Sequence, residues 1–185
     1  MPAGESVSRL FYSIPSTPEI FQAFGRLKET NKHLQGTRWI PGENHHITLL
    51  FLGEVNSDLV PQLISLMDDI LKLHPDFDLH FDNISLEGGK NNHPSMVWAK
   101  FQRHPEFTRL SQNILTYVSK LVTVTSKFSD PIPHVTLARI HSGQPPQINT
   151  IMPFTTRFHG LELWQTIRTA NGVYYEVLGK KYREN

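Results

Sequence analysis

The residues in this chain best suited to chemistry are two histidines, each followed two positions later by a threonine. His46-Ile47-Thr48-Leu49 lies in the first half and His134-Val135-Thr136-Leu137 in the second. Side chains on a β-strand alternate between faces. His46 and Thr48 therefore share one face, while Ile47 and Leu49 take the other. His134 and Thr136 separate from Val135 and Leu137 in the same way. Each copy predicts a strand with one packed face and one face offering an imidazole beside a hydroxyl. Together the copies supply two groups that exchange protons near pH 7 and two neutral hydroxyl donors. A lone histidine on a strand is ordinarily structural or solvated, so it is the duplication that singles these out. By strand parity His45 points away from His46 and reads as structural. His33, His74, His80, His93, His104, His141 and His159 have no such partner and read as solvated.

The surrounding sequence predicts the elements that hold the two motifs. Arg9 to Ile14 is a short apolar strand that stops at Pro15. Thr17-Pro18-Glu19 reads as a cap, with Pro at the first helical position. Ile20, Phe21, Phe24 and Leu27 then follow at helical spacing to about Asn31. Trp39-Ile40 is a short edge strand. The first motif strand runs from about His45 to Gly53. After a cap at Asn56-Ser57-Asp58, apolar residues from Leu59 to Leu71 form an amphipathic helix that ends at His74-Pro75. Phe77–Phe81 and Ser95–Phe101 read as strands flanking a polar loop from Glu87 to Pro94. Phe107 to Leu121 predicts a helix, and Ser129-Asp130-Pro131 a turn into the second motif strand, which ends near Ile140. Phe158–Trp164 and Val173–Leu178 read as closing strands joined at Asn171-Gly172, a dipeptide that favours hairpin turns.

Strands and helices recur in similar mixtures on either side of about residue 90, with one motif strand in each half. The expected fold is α+β: two pseudo-symmetric lobes of antiparallel-rich sheet with outer helices and a catalytic cleft between them. Residues 1–185 suit one domain whose lobes share a core, and 38% apolar content is enough to build it. With no cysteine, disulfides and thiolate zinc sites are excluded. No signal-peptide pattern and no long apolar run is present, which points to a cytoplasmic protein without a membrane span. The formal net charge of +1 lacks the large basic footprint of duplex binders. A partner with a few phosphates, such as a nucleic-acid end, fits better.

The flanks of the motifs carry a resemblance. The stretch from Arg38-Trp39-Ile40-Pro41-Gly42 through His46-Ile47-Thr48-Leu49 to Gly53-Glu54-Val55 is similar to the first conserved block of the 2H phosphoesterase superfamily. Pro133-His134-Val135-Thr136-Leu137-Ala138-Arg139 resembles its second block, and Leu10 to Pro15 its first strand. The similarity spans most of residues 9 to 180. It is greatest to the RNA 2′,3′-cyclic phosphodiesterases, also called 2′-5′ RNA ligases. It implies hydrolysis of RNA 2′,3′-cyclic phosphate ends to 2′-phosphates, with no cofactor and no metal. In that scheme His46 gives a proton to the leaving 3′ oxygen and His134 takes one from water, although the residues themselves do not fix that order. Thr48 and Thr136 hold the phosphate. Expected partners are RNA bearing such an end, tRNA fragments included, or a small cyclic nucleotide. A monomer is expected, and reversible 2′-5′ ligation would be the same chemistry run backwards.

Arg139 fits the second block and would meet phosphate as a charge-assisted donor. Strand parity nevertheless sets it opposite His134 unless the strand bulges. Phe11, Trp39 and Phe51 are candidates for stacking on a base, and each also suits the core. Two positions depart from the family: Ile132 stands where a basic residue is common, and the loop from Glu87 to Pro94 lacks an aromatic, Arg-bearing stretch. Both bear on substrate grip, and neither removes a proton-transfer group. The alternatives are a phosphodiesterase for another cyclic or 2′-5′-linked nucleotide, and a non-catalytic RNA- or nucleotide-binding module, which has no need of two proton-transfer groups. A metal-dependent hydrolase finds no supporting His-x-x-x-His spacing.

Overall fold

The computed structural model describes residues 6–89, 94–124, 130–148, 151–170 and 172–183. Its elements in chain order are β1 (Val7–Pro15), α1 (Pro18–Asn31), β2 (Thr37–Trp39), β3 (His46–Asn56), α2 (Val60–Lys72), β4 (Phe77–Glu87), β5 (Met96–Phe101), α3 (Pro105–Val118), β6 (His134–Ile140), β7 (Thr155–Phe158), β8 (Gly160–Thr169) and β9 (Gly172–Tyr182). Proline stands in the first turn of all three helices, where its missing N–H costs nothing. Thr17 does not cap α1 with its side chain; its hydroxyl bonds that of Thr156 on β7 instead, at 2.9 Å.

The strands form one antiparallel sheet ordered β7-β4-β5-β6-β3-β1-β8-β9, with β2 paired to β6. It curls into a half-barrel, and the fold is α+β as the sequence predicts. Helix residues such as Phe24, Leu63, Met67, Leu110 and Ile114 join Ile47, Leu49, Val135 and Leu137 in one buried core. The opposite face of the sheet is left for the cleft.

Three features of the strands and two histidines differ from the sequence reading. Phe158–Trp164 is not one strand: the chain breaks at His159, so β7 pairs with β4 while β8 pairs with β1. β4 is longer than its clean alternation predicts, because its C-terminal half pairs β5 after a register shift. The two halves of the sheet are also not the two halves of the chain, since β4 joins β5 and β6 whereas β8 and β9 join β1 and β3. His74 is not solvated. It is 1% exposed beneath α3, where its Nε2 accepts from Asn113 Nδ2 at 3.0 Å. His104 stacks on Phe77 and caps α3 by accepting from the Glu106 amide. The predicted turns at Ser129 and Asn171, part of the Glu87–Pro94 loop, and His93 lie outside the described residues.

The motif strands meet at the centre of the sheet through the pair Ile47↔Val135. Each strand then bulges at the leucine of its motif. On β3, Ser13 pairs with Thr48 and Tyr12 with Leu50, which makes Leu49 the extra residue. On β6, Trp98 pairs with Thr136 and Val97 with Ala138, which makes Leu137 the extra residue. A bulge takes a carbonyl out of the ladder, and both carbonyls find outside partners. The Ser111 hydroxyl of α3 donates to Leu49 O at 2.7 Å, and the Ile40 amide donates to Leu137 O at 2.8 Å. Ser111→Ala leaves the Leu49 carbonyl buried without that donor. The variant is expected to lose about 1–2 kcal/mol of stability, read as a lower urea midpoint at unchanged slope. An unmoved midpoint would contradict this role for Ser111.

Candidate active site

The bulges decide which side chains reach the cleft. In each copy two consecutive residues turn into the core, Leu49 with Leu50 and Leu137 with Ala138. The next residue returns to the face of the histidine. That residue is Phe51 in the first copy and Arg139 in the second, and both line the cleft. The parity objection to Arg139 is therefore removed by the bulge at Leu137.

The cleft holds about 420 Å³ and is lined by His46, Thr48, His134, Thr136 and Arg139 together. Continuing the antiparallel register from Ile47↔Val135 sets His46 across from Thr136 and Thr48 across from His134. Directly opposed Cβ atoms in such a ladder stand about 4.5–5.5 Å apart. Each imidazole thus has a hydroxyl beside it on its own strand and another across the ladder.

The two imidazoles are oriented identically. His46 Nδ1 donates to Asn44 O at 2.7 Å, and His134 Nδ1 donates to Ile132 O at 2.8 Å. In both, Nδ1 bonds the carbonyl two residues back, which leaves Nε2 for the cleft. Ile132, the departure from the family pattern, thus holds His134 through its backbone. Aromatic rings set both planes. Phe11, Trp164 and Tyr175 surround His46 at centroid distances of 4.9, 5.0 and 5.5 Å. Trp98 stacks on His134 at 3.7 Å. Buried Glu162 accepts from Trp164 Nε1 at 2.9 Å and from the Tyr182 hydroxyl at 3.0 Å, fixing the ring beside His46.

Burial pulls the His46 imidazole down to about 4, with a smaller opposing pull from its bond to Asn44. Burial also lowers His134, against its bond to Ile132. Both are therefore neutral at pH 7, so each Nε2 is a proton acceptor there. Four arginines line the cleft, Arg9, Arg38, Arg139 and Arg168, and no carboxylate does among the described residues; Asp130 lines the pocket that adjoins it at His134, Thr136 and Arg139. Among the described residues no group of three or more His, Cys, Asp or Glu side chains is placed to hold a metal ion.

Of the stacking candidates, Phe11 is buried against His46 and Phe51 stands half-exposed in the cleft. Trp39 does not reach it, and instead lines a pocket on the other face of the sheet beside His45. His45 is buried, as parity predicts. His141 lines the cleft mouth rather than standing apart from it. Sequence reasoning missed Arg9, Arg38, Arg168 and Tyr175. Arg9 was within reach by its two-residue spacing from Phe11, whereas the others need the pairings of β2, β8 and β9.

The LigT-like phosphoesterase family model matches residues 14–98. The chain is similar to LigT-like phosphoesterases of the 2H family over most of its length. The RNA 2′,3′-cyclic phosphodiesterase of Archaeoglobus fulgidus is 24% identical over 176 residues, covering 92% of this chain and 97% of that protein. TT0787 of Thermus thermophilus superposes with a TM-score of 0.80 at 23% identity, covering 94% of this chain and 97% of that one. Escherichia coli LigT complexed with 3′-AMP superposes with a TM-score of 0.71 at 21% identity, covering 96% and 98%. Among the described residues no helix is long and apolar enough to cross a membrane.

The buried imidazoles predict a pH dependence of stability. His45 and His46 fall from 6.5 to about 4 on folding. Between those values the unfolded chain binds protons that the folded chain refuses. Their contribution is therefore complete above about pH 6.5 and is lost as pH falls toward 4. Thermal scans at about pH 7 and pH 5 are expected to show a lower midpoint at pH 5, with the gap reduced in His45→Gln/His46→Gln. An equal gap in the double variant would show that these two groups are not its source.

Proposed function

We propose that this phosphoesterase hydrolyses the 2′,3′-cyclic phosphate at an RNA end, breaking the bond to the 3′ oxygen and leaving a 2′-phosphate. The observation that carries the reading is the matched pair of imidazoles. Each has Nδ1 bound to a carbonyl, Nε2 toward one cleft, and a threonine hydroxyl on the same face. Opening a cyclic phosphate with water is an in-line displacement that needs one proton removed and another delivered on opposite sides of phosphorus. Two imidazoles at the same site suit those tasks, each worth about 10²–10⁴-fold.

In this reading His134 Nε2 takes a proton from water as the water oxygen bonds to phosphorus. His46, protonated, gives its proton to the 3′ oxygen as the P–O3′ bond breaks. Turnover leaves His134 protonated and His46 neutral, and exchange with solvent restores both. The bound phosphate monoanion favours the charged imidazole that the empty site disfavours. Thr48, Thr136 and Arg139 donate to the non-bridging oxygens, where charge develops. The imidazoles, hydroxyls and guanidinium together cover every proton transfer and charge, so the scheme calls for no metal ion. That Escherichia coli LigT is complexed with 3′-AMP supports a nucleotide at this site, and the name of the Archaeoglobus fulgidus relative supports RNA.

A short RNA ending in a 2′,3′-cyclic phosphate, incubated in EDTA, is expected to convert to the 2′-phosphate. His46→Ala and His134→Ala should each slow this by at least about 10²-fold. A substrate with sulfur in place of the 3′ oxygen departs without protonation, so it should restore His46→Ala and not His134→Ala. Loss of activity in EDTA would overturn the metal-free scheme, and a 3′-phosphate product would overturn the choice of leaving oxygen. A folded parent that leaves the RNA unchanged would redirect the reading to another cyclic nucleotide.

A further inference from the structure

Resting on that reading, we infer that Arg9, Arg38 and Arg168 form a second anion site in the cleft, which takes the phosphodiester groups 5′ of the reacting nucleotide. The substrate is then an RNA strand of at least two or three nucleotides rather than a free nucleoside 2′,3′-cyclic phosphate.

Eight of the nine arginines of this chain fall into two kinds, Arg26 on α1 standing outside both. Arg103, Arg109, Arg157 and Arg183 are each ion-paired to a carboxylate. Among the described residues Arg9, Arg38, Arg139 and Arg168 pair with none, and all four line the same cleft. The net charge of the chain is only +1, yet four guanidiniums converge on this cleft without an ion pair, although Glu54 is the register partner of Arg9 on β3. Such a cleft focuses potential on an anion.

The register strengthens the point. Arg38 on β2 lies directly opposite Arg139 on β6. Like charges so opposed destabilise a sheet, and a phosphodiester anion bound at the Arg38 guanidinium relieves the pair. Arg38 keeps one hydrogen bond, from Nη2 to the Val173 carbonyl at 3.0 Å, which steadies the side chain without neutralising it.

Distance separates this group from the reacting phosphate. On β1 it is Phe11 whose ring meets His46, and Arg9 sits one step further out on the same face. On β8 the ring of Trp164 lies 5.0 Å from that of His46. Thr166, the register partner of Arg9, follows, and then Arg168. Four residues along a strand span about 13 Å, too far for Arg168 to share the phosphate held at His46 and Thr48. Arg9 and Arg168 therefore continue the cleft outward from β3, the Arg38 guanidinium joins them at Val173, the register partner of Arg168, and phosphates spaced along a strand match that run.

The test compares an RNA trinucleotide and a nucleoside, both ending in a 2′,3′-cyclic phosphate, at low salt. The parent is expected to show a kcat/KM at least tenfold higher for the trinucleotide, and Arg9→Gln/Arg168→Gln to reduce that ratio to within about threefold. These side chains are exposed, and far-UV circular dichroism checks that the variant is folded. Binding to the inactive His46→Ala/His134→Ala protein gives a second readout, using an RNA trinucleotide ending in a 2′-phosphate. The slope of log Kd against log salt should steepen by about 0.7 for each extra phosphate engaged. It should lose about 1 when the two arginines are also replaced. A parent ratio near one, or a ratio and slope unchanged by the substitutions, would overturn the inference. If neither substrate is hydrolysed the proposed activity fails, and the salt slope alone still decides whether the arginines bind RNA.

Discussion

One antiparallel register, Ile47 against Val135, fixes the relation between the two halves of the site. Both side chains are fully buried, so the apolar core holds the register. A slip by one residue would turn the histidines and threonines into the core and send the apolar partners outward. Burial of the packed faces of β3 and β6 therefore specifies the position of the imidazoles on the other face. The proposed proton-transfer groups, His46 and His134, stand on the two strands at the centre of the sheet.

The matching bulges add a second constraint. Without them Arg139 would face the core, and Phe51 would too. The displaced carbonyls of Leu49 and Leu137 are held by Ser111 of α3 and by the Ile40 amide just after β2. The backbone irregularity is thus stabilised in both copies by different means. The outcome is asymmetric in chemistry, with an aromatic ring in one copy and a guanidinium in the other.

Much of this was legible before any coordinates. The period-two pattern of both motifs fixes which residues share a face, because burial on one side leaves only one choice. The helices read well for a similar reason, with apolar stripes and proline in the first turn. The missed features depend on pairing rather than local pattern. Nothing in His-Val-Thr-Leu-Ala-Arg signals that Leu137 is an extra residue, so parity misplaced Arg139. β7 is short and merges in sequence with β8 until its partner β4 is known. His74 looks solvated beside Pro75, and only the docking of α3 buries it. Arg38 and Arg168 join the cleft through strands that are distant along the chain.

Burial sets the chemical character of the site. Burial holds both imidazoles below their ordinary pKa, and a bound anion favours the charged form that the proposed acid, His46, requires. The central claim is that a single phosphate group couples to both rings at once. The most direct measurement is an NMR titration of the Nε2 resonances of His46 and His134, with and without saturating nucleoside 2′-phosphate. The account predicts that ligand raises the pKa of both imidazoles together, while that of His45 behind the sheet stays in place. A rise at only one of the two histidines, or at neither, would contradict it.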